Sequence, residues 1–309
     1  MSPRHEPVLV AEVLAFVRGG PGLYLDATLG DGGHAEALLT AEPGARLLGN
    51  DRDPEAVVAA RRRLARFGGR VVLTQGTFRE LPAAFERAGG ERFTGALFDL
   101  GLSSRQIDQP SRGMSYLADG PLDLRMNPSQ GEPVWKLLER APEEALASVL
   151  REHGDLPQAR RLGRVMAAAA RRGELRTTAA LASLVDRTLR DRSRTRRLAQ
   201  VFQALRLWVN GEAEDLEAAL EWLPRVMRPG GVVVTLAYHS GEDRRIKRAL
   251  RGPVSTGRAR RLPEGLQERP PEGPWQQLTR KVVMPSPRER AANPRSRSAR
   301  LRAFRRKHA

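Results

Sequence analysis

The stretch Asp26-Ala27-Thr28-Leu29-Gly30-Asp31-Gly32-Gly33-His34-Ala35 sets three glycines, two aspartates and a histidine between an apolar run and a helix-like segment. Glycines there let the backbone approach a ligand closely and turn sharply into a helix amino terminus. Asp51 follows Gly30 by 21 residues, where a carboxylate ending the next strand takes both hydroxyls of a nucleoside ribose. Asp53, one residue before Pro54, fits a helix N-cap better than a ligand contact. Phe78, at the end of Gln75-Gly76-Thr77-Phe78, is placed to pack on an adenine or, equally well, in the core. Asp99, His239 and Ser240 close two further apolar runs. A carboxylate at such a strand end can accept a hydrogen bond or act as a base, and a histidine and a hydroxyl there can hold a ligand. His239 has a plain structural alternative, and His34 has one as a loop hydrogen-bond donor.

Two cofactors fit the loop. Gly30-x-Gly32-x-x-Ala35 matches the relaxed dinucleotide fingerprint and admits a nicotinamide cofactor. Against it stand Asp26, Asp31 in a loop that would face pyrophosphate, and the lack of a second nucleotide-binding half. Carboxylates suit a cation. S-adenosylmethionine supplies one, with a sulfonium, an amino group and a ribose for Asp51. No His/Asp spacing of a metal site appears, and none is needed to move a methyl group off a sulfonium.

These residues need strands to hold them. Leu23–Thr28, Arg46–Asp51, Arg70–Gln75 and Ala96–Leu100 are short apolar runs separated by helix-like segments such as Pro54–Phe67. That alternation predicts an α/β fold with a parallel sheet covered on both faces. Val232–Tyr238 reads as a fifth strand after the turn Pro229-Gly230-Gly231. Between the fourth and fifth strands lie about 130 residues, far more than one crossover needs. The intervening chain is helix-like over 134–206, with Asp191–Arg197 as a basic connector. A small all-helical domain is therefore expected over 106–206, inserted between 1–105 and 207–290. Gly252–Pro274 reads as a loop and Gln277–Met284 as a late strand. A basic tail at 291–309 is expected to order on a polyanion.

The chain has 309 residues and a net charge of +17, and it has no cysteine. Disulfide scaffolds, thiolate metal sites and cysteine nucleophiles are excluded. Neither a cleavable leader nor an apolar run long enough to span a bilayer is evident, so a soluble cytoplasmic protein is expected. Charge is unevenly placed: −3 over residues 1–150, +9 over 151–210, −5 over 211–243 and +16 over 244–309. Two basic segments flanking a near-neutral to acidic core predict a polyanion gripped beside a cofactor cleft.

Further motifs sharpen this. The chain reads FDLGLSSRQ from Phe98, RGMSY from Arg112, GPLDLRM from Gly120, FQALRLWVNGE from Phe202, YHSGEDR from Tyr238 and NPRSRSARLR from Asn293. With HEPVLVAEVL at the start and DATLGDGGH, this closely resembles the RsmH/MraW family from His5 to Arg302. Members are bacterial methyltransferases acting on the N4 amine of a cytidine in 16S rRNA of the small ribosomal subunit, near the decoding and P-site region. Arg105, Met114, Tyr116 and Gly241 depart from the family pattern, and none of them removes a polar group used on the cofactor. The resemblance implies a class I, Rossmann-like S-adenosylmethionine-dependent sheet with an inserted helical domain. It also implies cofactor contacts from Gly32, Gly33, His34, Asp51, Phe78, Asp99 and Gln106. Asp99 either accepts an N4–H hydrogen bond or touches the cofactor alone, and Tyr116 or Tyr238 is placed to stack on a splayed base. The expected partner is 16S rRNA or the small subunit, with no membrane and no metal, and the protein is a monomer or a homodimer.

Overall fold

The computed structural model describes residues 7–189, 193–251 and 273–308. They form two compact units, one of 1–101 with 215–309 and one of 102–214. The insertion thus runs from Leu102 to Glu214, wider at both ends than the motif-based 106–206.

The first unit is built on one seven-stranded sheet: β1 (Gly22–Asp26), β2 (Ala45–Asp51), β3 (Val71–Gln75), β4 (Phe93–Asp99), β5 (Met227–Ala237), β6 (Trp275–Gln277) and β7 (Arg300–Arg306). The spatial order is β3-β2-β1-β4-β5-β7-β6. β1 to β5 pair in parallel and β7 runs antiparallel to both its neighbours. A parallel sheet with one reversed strand in this order is the Rossmann-like arrangement that the resemblance implies. Pro229–Gly231, expected as a turn, lies inside β5. There the register against β4 slips between Phe93 and Gly95, absorbing the extra residues as a bulge.

Alternation along the strands sorts the helices. Tyr24, Leu47, Leu97, Val234, Leu301 and Ala303 face α1 (Val10–Val17), α2 (Gly33–Ala41) and α3 (Pro54–Leu64). On the opposite face α4 (Leu81–Arg87) covers Leu23, Leu25, Phe93 and Phe98. Asp53 caps α3, its side chain accepting from Glu55 N, with Pro54 at the first helical position. That helix stops at Leu64 rather than Phe67, because a 3-10 turn follows and Gly68 there takes φ 53°.

The helical unit contains α5 (Ser104–Asp108), α6 (Val134–Arg140), α7 (Glu143–Glu152), α8 (Ala159–Arg171), α9 (Thr178–Thr188) and α10 (Arg194–Asn210) around a core of its own. The connector expected over Asp191–Arg197 is helical from Arg194 onward, and its earlier part includes residues outside those described. Helix α8 buries Leu162, Met166 and Ala170 and exposes Arg160, Arg161, Arg164 and Arg171. These four arginines have no ion-pair partner among the described residues.

Back in the sheet unit, α11 (Glu212–Val226, entering it at Asp215) and α12 (Ser240–Arg251) join α4 on its face, and α13 (Pro287–Ala292) precedes β7. Here two expectations are corrected. The arginine run is no tail waiting for a polyanion: Arg300–Arg305 pairs residue for residue with Ala237–Val232. Leu301, Ala303 and Phe304 are fully buried, so apolar residues spaced among the arginines lock the segment into the sheet. Arg302 turns to Asp243, with N···O distances of 2.6 and 3.2 Å. The late strand is Trp275–Gln277, and of Gln277–Met284 only Val283 forms a further bridge, to Leu301. The loop expected at Gly252–Pro274 lies outside the described residues except for its last two. No helix among the described residues is long and apolar enough to cross a membrane.

Candidate active site

The carboxyl ends of β1, β2, β4 and β5 carry most of the residues singled out in the sequence. After Asp26 the chain turns through Gly30 (φ 51°) and Gly32 (φ 80°), both in the left-handed region that favours glycine. Gly32 is the N-cap of α2. A Cβ on Gly33 would lie 2.7 Å from Pro7 Cγ, so the first turn of α2 can carry no larger residue there. Asp51 ties the second strand to this loop, Oδ2 accepting from Gly30 N at 2.7 Å and Oδ1 from Asp53 N at 2.8 Å. Each oxygen keeps a lone pair for a further donor.

Asp99 is held from three sides. Its backbone N donates to Thr28 Oγ1 at 2.6 Å, Oδ1 accepts from the Tyr238 hydroxyl at 2.9 Å, and Oδ2 lies 3.5 Å from His34 Nε2. Neither ring nitrogen of the buried His34 has a hydrogen-bond partner among the described residues. Burial, reinforced by the neighbouring Asp99 charge, raises the Tyr238 phenol far above its usual range, so it stays protonated and donates. The structure thus employs Tyr238 through its hydroxyl, where the sequence suggests a stacking ring. Tyr116, the other candidate for stacking, packs edge-on against Phe202 at 5.6 Å in the helical core.

Burial dominates the electrostatics of the two strand-end carboxylates Asp26 and Asp51. Asp26 is 3% exposed, and burial pushes its carboxyl up to about 7, His34 opposing the shift while Asp99 and Asp51 add to it. Asp51 is pushed up to about 6, again chiefly by burial, against the pull of its two backbone donors. Among the described residues no lysine or arginine pairs with Asp26, Asp51 or Asp99. Asp26, Asp51 and Asp99 thus form a carboxylate cluster short of positive charge, which a sulfonium with its amino group would supply. A nicotinamide pyrophosphate would add negative charge to the same place.

Phe78 opens a 3-10 turn, its ring 5.5 Å from Phe98 and nearly perpendicular to it at 74°. His239 and Ser240 stand at the rim where β5 passes into α12. Here the histidine caps the helix: Nδ1 accepts from Glu242 N at 3.4 Å, while the buried Nε2, 3.0 Å from Glu242 Oε1, makes no hydrogen bond among the described residues. Glu242 Oε2 in turn accepts from Tyr238 N at 2.8 Å and His239 N at 3.3 Å. This is a capping box with histidine in the serine position. The spacing His239-x-x-Glu242 signals it in the sequence, though Glu242 was not singled out there. Ser240 begins α12 and is partly exposed. Gln106 belongs to the helical unit, where its side chain accepts from Ser103 N at 3.1 Å and caps α5.

Comparison with known proteins agrees with this chemistry. The model of the MraW methylase family matches residues 2–307. Curated relatives named ribosomal RNA small subunit methyltransferase H include that of Sorangium cellulosum, 43% identical over 98% of this chain and 91% of that one. That of Methylobacterium sp. strain 4-46 is 41% identical, covering 97% and 90%, and that of Anaeromyxobacter dehalogenans is 42% identical, covering 97% of each. The family model over residues 2–307, with relatives 41–43% identical across nearly the whole chain, places this chain in the MraW methylase family of S-adenosylmethionine-dependent methyltransferases.

Proposed function

We propose that the protein methylates the N4 amine of a cytidine in 16S rRNA of the small ribosomal subunit, in the decoding region, within the cytoplasm. The observation that carries this reading is the Asp99 carboxylate, fixed at the end of β4 by Tyr238 beside the acidic cofactor pocket. The names of the relatives support the rRNA partner.

When bound, S-adenosylmethionine supplies an electrophilic methyl whose departure leaves a neutral thioether. The remaining work falls to the chain. The N4 lone pair of cytosine is delocalised into its ring, so the amine reacts only once oriented and partly localised. Asp99 accepts an N4–H hydrogen bond, holds that orientation and takes up the positive charge that grows on nitrogen. The Tyr238 hydroxyl fixes one Asp99 oxygen and leaves the other for the amine. Gly32, Gly33, His34 and Asp51 hold the cofactor, and Phe78 packs on its adenine. Gln106 joins this set on the strength of the family motif. The proton passes from N4 to Asp99 and on to solvent. Ser240 and His239 border the base, His239 as part of the cap on α12.

The test is transfer of a labelled methyl group to naked 16S rRNA, to isolated small subunits and to duplex DNA, with the modified atom mapped. Label on the exocyclic amine of one cytosine of the small subunit rRNA is expected. Label confined to DNA, or on a ring carbon, overturns the reading. Asp99→Asn separates the roles: turnover lost at unchanged cofactor affinity is expected, and weaker cofactor binding with normal saturated turnover refutes a part for Asp99 in the chemistry.

A further inference from the structure

Phe78 is offered to the adenosine by a turn whose amides are all accounted for. Thr77 N donates to Glu80 Oε2 at 2.7 Å, and Thr77 in turn caps Glu80. The two amides between them, at Phe78 and Arg79, have no local acceptor. Both donate to a single distant carboxylate, Phe78 N to Asp215 Oδ2 at 2.9 Å and Arg79 N to Asp215 Oδ1 at 3.0 Å. Asp215 lies 137 residues further along the chain, where α11 enters the sheet unit, and it is 6% exposed. Upstream, Gly76 N donates to Asp51 O at 3.0 Å and Asn50 Nδ2 to Gly76 O at 2.9 Å. The turn is thus tied at one end to the ribose strand and at the other to α11.

We infer that Asp215 is a positioning residue for the adenine side of the cofactor pocket, acting through the backbone of Phe78. The inference rests on the assignment of Phe78 to the adenosine. A carboxylate across the first two amides of a 3-10 turn is a strong, charge-assisted clamp at a helix amino terminus. With its backbone pinned on both sides, the Phe78 ring keeps the angle set by its edge contact with Phe98, and its partly exposed face is presented ready for the ligand. Binding then bears less of the cost of ordering that ring. Nothing in the methyl-transfer step involves Asp215, so its contribution falls on cofactor affinity and not on the rate once the cofactor is bound.

The experiment uses the full-length protein, with calorimetric affinity for S-adenosylhomocysteine and steady-state methyl transfer. Asp215→Asn retains an acceptor and the side-chain shape, so it preserves the fold better than Asp215→Ala. Expected is a Kd and a cofactor KM raised about tenfold, with kcat at saturation and the RNA KM unchanged within about twofold. A double-mutant cycle isolates the route: in a Phe78→Ala background, Asp215→Asn should add little further loss. An unchanged Kd in Asp215→Asn, an equal loss in both backgrounds, or a parallel fall in kcat overturns the inference. Failure of the wild-type protein to bind S-adenosylhomocysteine would instead refute the cofactor assignment and take the inference with it.

Discussion

Replacing Asp26 by Asn should make the unliganded protein more stable and a worse methyltransferase. In the folded chain the Asp26 carboxyl titrates at about 7 against an ordinary value of 3.8. Each pK unit corresponds to 1.36 kcal/mol, so ionised Asp26 costs the fold roughly 4 kcal/mol. Because the folded pKa is raised, the folded state holds a proton that the unfolded chain has lost between about pH 4 and pH 7. Stability therefore falls as pH rises through that window and the cost is fully present above it. Asparagine keeps an oxygen for Thr28 N, which donates to Asp26 Oδ1 at 3.3 Å, and removes only the charge. Urea unfolding without ligand should show Asp26→Asn gaining on wild type by about 3 kcal/mol between pH 5 and pH 8, roughly two pK units of the shift. Affinity moves the opposite way. A bound cation favours ionised Asp26, so wild-type affinity for S-adenosylmethionine should fall as pH drops below about 7. Asp26→Asn should bind it about tenfold or more weakly and lose that pH dependence. S-adenosylhomocysteine, which has no sulfonium, should lose less. Equal pH slopes for the two proteins, together with equal affinity for S-adenosylmethionine, would refute the claim that the pocket is short of positive charge.

The strand at the carboxyl terminus gives a second prediction: Phe304→Ala, or removal of Asn293–Ala309, should cost at least about 3 kcal/mol without RNA present, whereas Arg305→Gln on an exposed position should leave the melting temperature nearly unchanged. Thermal melts decide it, and a stable truncated protein would refute the placement of β7. On the helical unit, changing Arg160, Arg161, Arg164 and Arg171 together to Gln should flatten the salt dependence of rRNA binding, at unchanged melting temperature. The log–log slope should fall by about 0.7 to 0.9 for each phosphate that these arginines neutralise. At the rim of α12, Glu242→Ala should cost about 1–3 kcal/mol by stranding the amides of Tyr238 and His239. His239→Asn, which can still accept at the cap, should keep kcat within about threefold; a loss of about hundredfold with an unchanged melt would assign the imidazole to chemistry.

Residues whose task is local were legible in the sequence. The glycine loop, the position of Asp51 and the N-cap at Asp53 each rest on spacings of a few residues or one βαβ step, and backbone geometry makes those spacings nearly obligatory. Asp215 and Tyr238 are not legible there as partners of Phe78 and Asp99. Their contacts span 137 and 139 residues, and no local pattern encodes a hydrogen bond across an insertion. Asp26 is legible in the sequence as an acid suited to a cationic ligand, but its raised carboxyl is not. Its energetics depend on burial and on Asp99 arriving from β4, which the sequence shows only as another strand end.

The arginine-rich carboxyl terminus shows how a charge count can mislead. Over Asn293–Ala309 the sequence holds six arginines and one lysine, and in bulk that composition belongs to a solvated, polyanion-seeking tail. A strand, however, is read at every second residue. Leu301 and Ala303 face one side of the sheet and Phe304 the other, so three apolar residues suffice to bury the ladder while the arginines between them reach the surface or find partners such as Asp243. The segment's charge is the outside of a core strand, and its first obligation is to fold. An RNA-binding role for it is therefore separable only by changing exposed side chains one at a time. Truncation would remove the neighbour of β5, which leads into Tyr238, and with it the support for Asp99, so loss of activity in a truncated protein would say nothing about RNA.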